Sequence, residues 1–206
     1  MKLRFPVVAF AVAVLLAIAG TDAHAQSSAP TSAKFALYLN PDITVVSNSV
    51  ADTGTFAFLG DNNTSAVFGG VDFGGYYELA SASKYTVAID MRDSIRHGNS
   101  ALLNSFLIGV RVATKPLAFG GIKPYVQLSV GAGGTHSPYN PVKVQKLEVD
   151  GFVGIDKPLG RHVDFRAIEV GYGSLTTISS ALERGTVAIP ASKLINFSTG
   201  FVFRFP

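Results

Sequence analysis

His136-Ser137, and His97 close to Ser100, are the places where this chain sets an imidazole near a hydroxyl. A histidine in hydrogen-bond reach of a serine, oriented in turn by an acid, activates that serine for acyl transfer. Both pairs fall at or near predicted strand ends, on the loop side, and their spacing sets no acidic third member. They read as loop histidines in solvent, so no catalytic residue is assigned. His97, His136 and His162 have no metal-ligand spacing, and the chain has no cysteine, which removes thiolate metal and redox sites. There is no P-loop and no H-E-x-x-H. No metal or cofactor-binding residue is assigned.

A second set of residues is charged rather than nucleophilic. Asp72, Asp90, Arg92, Arg111, Glu148, Asp164, Arg166, Glu169 and Arg204, with Glu78 and Asp150, sit at alternate positions of otherwise apolar segments. They share their parity with Gly, Ser and Gln. The opposite parity carries Phe, Leu, Val, Ile and Tyr. Charges collected on the inner face of a small closed sheet must be paired, because an unpaired buried charge is very costly. The expectation is an internal network of Arg92, Arg111, Arg166 and Arg204 against Asp72, Asp90, Glu148, Asp164 and Glu169. It would act either as a salt-bridge plug or as a narrow polar path for small solutes.

Period-two alternation demands strands, and no stretch shows a good helical period. Eight segments are predicted. They run from Phe35 to about Val46, about Ala66 to Leu79, Lys84 to about Ile95, about Leu103 to Lys115, Ile122 to Gly134, about Val144 to Asp156, His162 to about Ser174, and Lys193 to Phe205. Each is roughly 10–13 residues, the length of a tilted strand crossing a bilayer. Connections alternate between short turns (Ser81-Ser83, Pro116-Gly121, Pro158-Arg161) and long loops (Ser47-Ser65, Thr135-Lys143, Leu175-Ser192), with His97-Ser100 the short exception. In "HVDFRAIEVGYG" the parity slips, and a bulge near Ala167-Ile168 would turn Asp164, Arg166 and Glu169 to one side. Gly69, Gly74, Gly109, Gly131 and Gly154 would let strands bend or leave room inside. "TFAFLG", Thr55 to Gly60, could extend the sheet beyond the first long loop. The fold class is therefore all-β, an eight-stranded antiparallel up-and-down transmembrane barrel.

Ahead of the barrel, Lys2 and Arg4 precede an apolar run from Val7 to Ala19 and an Ala23-His24-Ala25 cleavage signal. Residues 1–25 read as a secretory signal peptide, 26–33 as a flexible lead-in, and 34–206 as the barrel domain. The run is too short to span a bilayer as a helix. Without the leader the chain keeps 15 basic and 13 acidic residues. No Lys/Arg cluster tracks phosphates, so nucleic acid is not an expected partner.

The chain ends "FSTGFVFRFP". That stretch resembles the C-terminal strand signature of bacterial outer-membrane barrels. The resemblance implies that Phe201, Phe203 and Phe205 serve as the signal read by the barrel assembly machinery, with Pro206 one residue beyond the usual terminal aromatic. The mature chain further resembles small OmpA-type barrels and the outer membrane beta-barrel domain proteins of acidobacterial genomes, in "LLNSFLIGVRVATKP", "KPYVQLSVGAGGT" and "VDFRAIEVGYG". What the resemblance implies is an outer-membrane location, with the lipid bilayer and the assembly machinery as partners. The expected role is non-enzymatic and structural or surface-interacting. The alternatives are a narrow small-solute porin, a lipid-A-modifying hydrolase and a soluble periplasmic β-barrel binder.

Overall fold

The computed structural model describes residues 34–53, 57–118, 120–177 and 191–205. The predicted signal peptide, the lead-in and Pro206 lie outside them. Eight strands follow in chain order: β1 (Phe35–Asp52), β2 (Asn63–Ser81), β3 (Tyr85–Gly98), β4 (Ala101–Thr114), β5 (Lys123–His136), β6 (Lys143–Pro158), β7 (Val163–Thr177) and β8 (Ser192–Phe205). Each pairs antiparallel with its neighbours, and β8 pairs with β1 to close the barrel. Closure removes every unpaired sheet edge. The seam joins Phe35 to Phe205 as cross-strand partners, with ring centroids 6.0 Å apart.

The registers fix the stagger. From Ala36 the ladder runs through Tyr76, Asp90, Gly109, Ser129, Asp150, Gly173 and Leu194 and returns to β1 at Val46, ten residues above its start. A stagger of ten over eight strands corresponds to a tilt of roughly 40°, from a rise of ~3.3 Å per residue and a spacing of ~4.8 Å between strands. This tilt decides which inward side chains meet across the lumen.

Alternation is kept along the strands. In β8, Leu194, Asn196, Ser198 and Val202 are buried inside, while Ile195, Phe197, Phe201 and Phe203 are exposed outside. In β7 the ladder shifts at Ala167, where Ile155 faces Ile168 but Asp156 faces Arg166. The extra residue turns Asp164, Arg166 and Glu169 inward together.

Three expectations need correction. The strands are longer than predicted, at 14–19 residues, because β1 and β2 continue past Val46 and before Ala66 as a paired extension. "TFAFLG" does not extend the sheet: Ala57, Phe58 and Leu59 are buried outside any strand, and Thr55 and Phe56 lie outside the described residues. Gly69 faces outward, where an added Cβ would meet nothing within 4 Å, so it makes no room inside.

Candidate functional site in the barrel lumen

Alternation delivers four arginines to the lumen, Arg92 and Arg96 from β3, Arg111 from β4 and Arg166 from β7, each at most 2% exposed. Each is answered by at least one carboxylate from another strand. Arg96 donates to Asp42 at 2.6 Å and to Asp72 at 3.0 Å. Arg92 meets Asp72 at 3.3 Å and grips Glu169 with both Nη atoms, each at 2.8 Å. Arg166 meets Glu169 at 3.3 Å and Asp156 at 3.1 Å, and Arg111 reaches Asp156 at 2.5 Å. The result is an unbroken alternating chain: Asp42, Arg96, Asp72, Arg92, Glu169, Arg166, Asp156, Arg111. Strictly alternating sign lets each buried charge be offset by its neighbours, the condition under which such groups are tolerated. Two-point Arg–carboxylate contacts are also the strongest of these bonds.

Aromatic rings support the guanidinium planes. Arg92 lies 4.1 Å from the Phe152 centroid and Arg166 4.7 Å from that of Tyr38. Arg111 lies between Tyr125 at 3.4 Å and Tyr76 at 4.7 Å. The rings can lie low over the wall because three of them cross a glycine. Tyr38 pairs with Gly74, Tyr125 with Gly154 and Phe152 with Gly171. A Cβ at any of those glycines would come within 3 Å of the ring it faces. The aromatics also carry hydrogen bonds: Tyr125 donates to Glu169 at 2.6 Å, and Tyr38 donates to Asp90 at 3.0 Å while accepting from Arg92 at 3.2 Å.

The predicted set is thus distributed unevenly. Asp72, Arg92, Arg111, Arg166 and Glu169 join the chain. Asp90 and Glu148 face inward but take no arginine within ion-pair distance; Gln127 and Tyr38 serve Asp90, and Ser105 donates to Glu148 at 2.5 Å. Asp164 and Arg204 pair at 2.9 Å with Lys123 also on Asp164, at the end of the barrel where β1 starts, apart from the eight-member chain. Arg204 is 24% exposed there, so it belongs to the rim rather than the interior. Asp42, Arg96 and Asp156 were not predicted. Parity marks Asp42 as inward, opposite Leu39, Pro41 and Ile43. Arg96 lies one residue beyond the predicted third strand, and Asp156 is the last residue of the predicted sixth.

Above the ionic chain the lumen is closed by carbon. Val46, Phe68, Ala101, Leu103, Leu175 and Leu194 point inward from five strands and pack with Phe58 and Leu59 of the β1–β2 loop. That loop is pinned in the mouth. Leu59 N donates to Asp52, Asn63 donates to the Leu59 carbonyl, and Ser137 donates to the Ala57 carbonyl at 2.9 Å. Lys146 sits 4.4 Å over the Phe58 ring. At the opposite end a cavity of about 290 Å³ is lined by Tyr76, Glu78, Arg111, Lys123, Asp156 and Arg204, among others.

The histidine–serine pairs do not assemble. Ser137 is occupied by Ala57 and Tyr139. Ser100 is in the Asn99-Ser100 turn at φ 70°, and His97 faces outward. His162 contacts the Arg204 carbonyl at 3.3 Å. Among the described residues no three His, Cys, Asp or Glu side chains are grouped as metal ligands.

No family model matches the chain, and no curated protein matches it in sequence. Solved structures do. Neisserial surface protein A superposes with a TM-score of 0.51 at 15% identity, over 83% of this chain and 97% of that one. Ail, the attachment invasion locus protein of Yersinia pestis, superposes with a TM-score of 0.50 at 10% identity, over 85% and 100%. The chain therefore has the fold of small eight-stranded outer-membrane barrels: a closed, all-antiparallel cylinder.

Proposed function

We propose that this chain is a non-enzymatic integral outer-membrane barrel whose lumen does not conduct and whose role is structural or surface-interacting. One observation carries the reading: the outer wall is apolar while the lumen is filled, first by an eight-member ion chain and then by an apolar plug. A soluble barrel that binds small molecules would put its apolar surface inside. Here Leu39, Ile43, Met91, Leu128, Val153 and Phe197 face outward instead. A bilayer is the solvent that suits such a wall, and a closed barrel suits a bilayer because its backbone groups are all paired. Export through a cleaved signal peptide, and delivery to the assembly machinery through Phe201, Phe203 and Phe205, complete the proposal. All three phenylalanines are exposed on the outer wall. The names of the two structural neighbours, a surface protein and an attachment invasion locus protein, go with a role at the surface.

The test is single-channel conductance of the folded mature protein in a planar bilayer, with insertion verified by protease protection. A quiet membrane is expected. Steady, reproducible steps would overturn the non-conducting reading and make the inward arginines and aspartates selectivity candidates.

A further inference from the structure

The cavity at the end of the barrel where β1 starts is walled by groups of both signs. Four of its residues each keep a buried polar atom without a partner among the described residues: Arg111 Nη1, Arg204 Nε, Thr114 Oγ1 and Glu78 Oε2. Arg111 is only 2% exposed, and its other terminal nitrogen is taken by Asp156 at 2.5 Å. Glu78 has no ion pair among the described residues, although cations surround it. Lys115 donates to Ser81 at 2.6 Å instead, and Lys123 and Arg204 are held by Asp164. Buried polar atoms are seldom left unmet, because an unmade hydrogen bond to a desolvated group is costly.

The wall also leaves room for a guest. Ala88 and Ala113 line the cavity with side chains too short to fill it. The cavity measures about 290 Å³. A water needs roughly 10–15 Å³ of such space, so a guest of several atoms fits. The two signs are set apart in it. Glu78 faces Ala88 across β2–β3, and Ala88 faces Arg111 across β3–β4. Two strand spacings, about 10 Å, therefore separate the Glu78 and Arg111 backbones, with only the Ala88 methyl between them. A simple anion would meet the guanidinium groups but would be repelled by Glu78. A simple cation would have the reverse fault.

We propose that this cavity is a binding site for a small zwitterion, an oxyanion joined by a short linker to an ammonium group. Phosphoethanolamine has that chemistry. The oxyanion would sit against Arg111, Arg204 and the Thr114 hydroxyl, since guanidinium forks match phosphate and carboxylate oxygens. The ammonium group would take Glu78 and supply the cation that the chain does not. The site goes beyond the bilayer reading and does not depend on it. It also agrees with a lumen that does not conduct, because Arg111 is the last member of the ion chain.

The test is titration calorimetry of the folded mature protein in maltoside micelles at constant ionic strength. The probes are phosphoethanolamine, inorganic phosphate and ethanolamine. Phosphoethanolamine is expected to bind saturably, about ten-fold tighter than either fragment, the worth of one more charged hydrogen bond. Glu78→Gln is expected to remove its margin over phosphate, and Arg204→Ala to weaken both phosphate-bearing probes about ten-fold. Neither residue belongs to the eight-member ion chain, so both variants are expected to fold. Absence of saturable phosphoethanolamine binding would overturn the site and leave a vestibule for water. Phosphate binding as tightly as phosphoethanolamine would overturn the zwitterion, and an affinity that both variants leave unchanged would put the binding elsewhere. Doping the micelles with phosphatidylethanolamine separates the two sources of this chemistry. Competition with the free probe would assign the site to a lipid headgroup, and unchanged binding to a soluble ligand.

Discussion

Arg96 on β3 and Leu103 on β4 are cross-strand partners facing the same lumen, both fully buried. Arg96 is held by Asp42 at 2.6 Å and Asp72 at 3.0 Å, contacts that weaken steeply when distance or angle departs from hydrogen-bond geometry. Leu103 is held by Phe58, Phe68 and its other apolar neighbours, which need only fill the space. The border between the two kinds of interior runs between these residues. The ionic level is directional, and its members depend on one another. The plug is non-directional, and part of it comes from a loop rather than from the wall. The same inward parity supports both because the wall fixes only where a side chain starts.

Breaking either level should cost most. Arg92→Ala takes one guanidinium from each of two buried carboxylates, leaving Asp72 to Arg96 and Glu169 to Arg166 and Tyr125, and a loss of about 3 kcal/mol is expected for removing one partner of a buried charge set. Urea unfolding in lipid vesicles measures it. A loss below ~1 kcal/mol would mean that water or other side chains already serve those carboxylates. Leu103→Ala tests the plug. We expect roughly 2–5 kcal/mol, the usual range for truncating a buried leucine. This loss should be insensitive to salt, and a strong salt dependence would show that the two levels are coupled. Lys146→Met sharpens the border from above: it removes the cation that lies over Phe58 and also offsets buried Asp52, worth about 1 kcal/mol in the same unfolding experiment. Arg204→Ala should matter least, under ~1 kcal/mol, because Arg204 is partly exposed and Lys123 still serves Asp164. A larger loss would join the rim pair to the interior chain.

Phe201, Phe203, Asp90 and Arg92 take the faces that alternation assigns them, and the slip in "HVDFRAIEVGYG" is a one-residue bulge at Ala167. These are local properties: a period of two and its single break can be read along one strand. Partners are another matter. Glu169 reaches Arg92 from the opposite side of the lumen, 77 residues away in sequence, and no spacing within either strand announces it. Asp90 and Glu148 have the same inward parity, yet the stagger gives them hydroxyl and amide neighbours rather than guanidinium groups. Phe58 and Leu59 belong to a stretch that could extend the sheet, and nothing in its spacing places them in the barrel mouth.

By itself, then, the amino-acid order determined the strands, their two faces and the chemistry carried by each face, because a strand's periodicity is a property of its own backbone. Only the tertiary structure decided the eight-member order of the ion chain, the rim position of Arg204 and the apolar closure by the β1–β2 loop. Each depends on how far neighbouring strands are staggered when the barrel closes, and that stagger is a property of all eight pairings together.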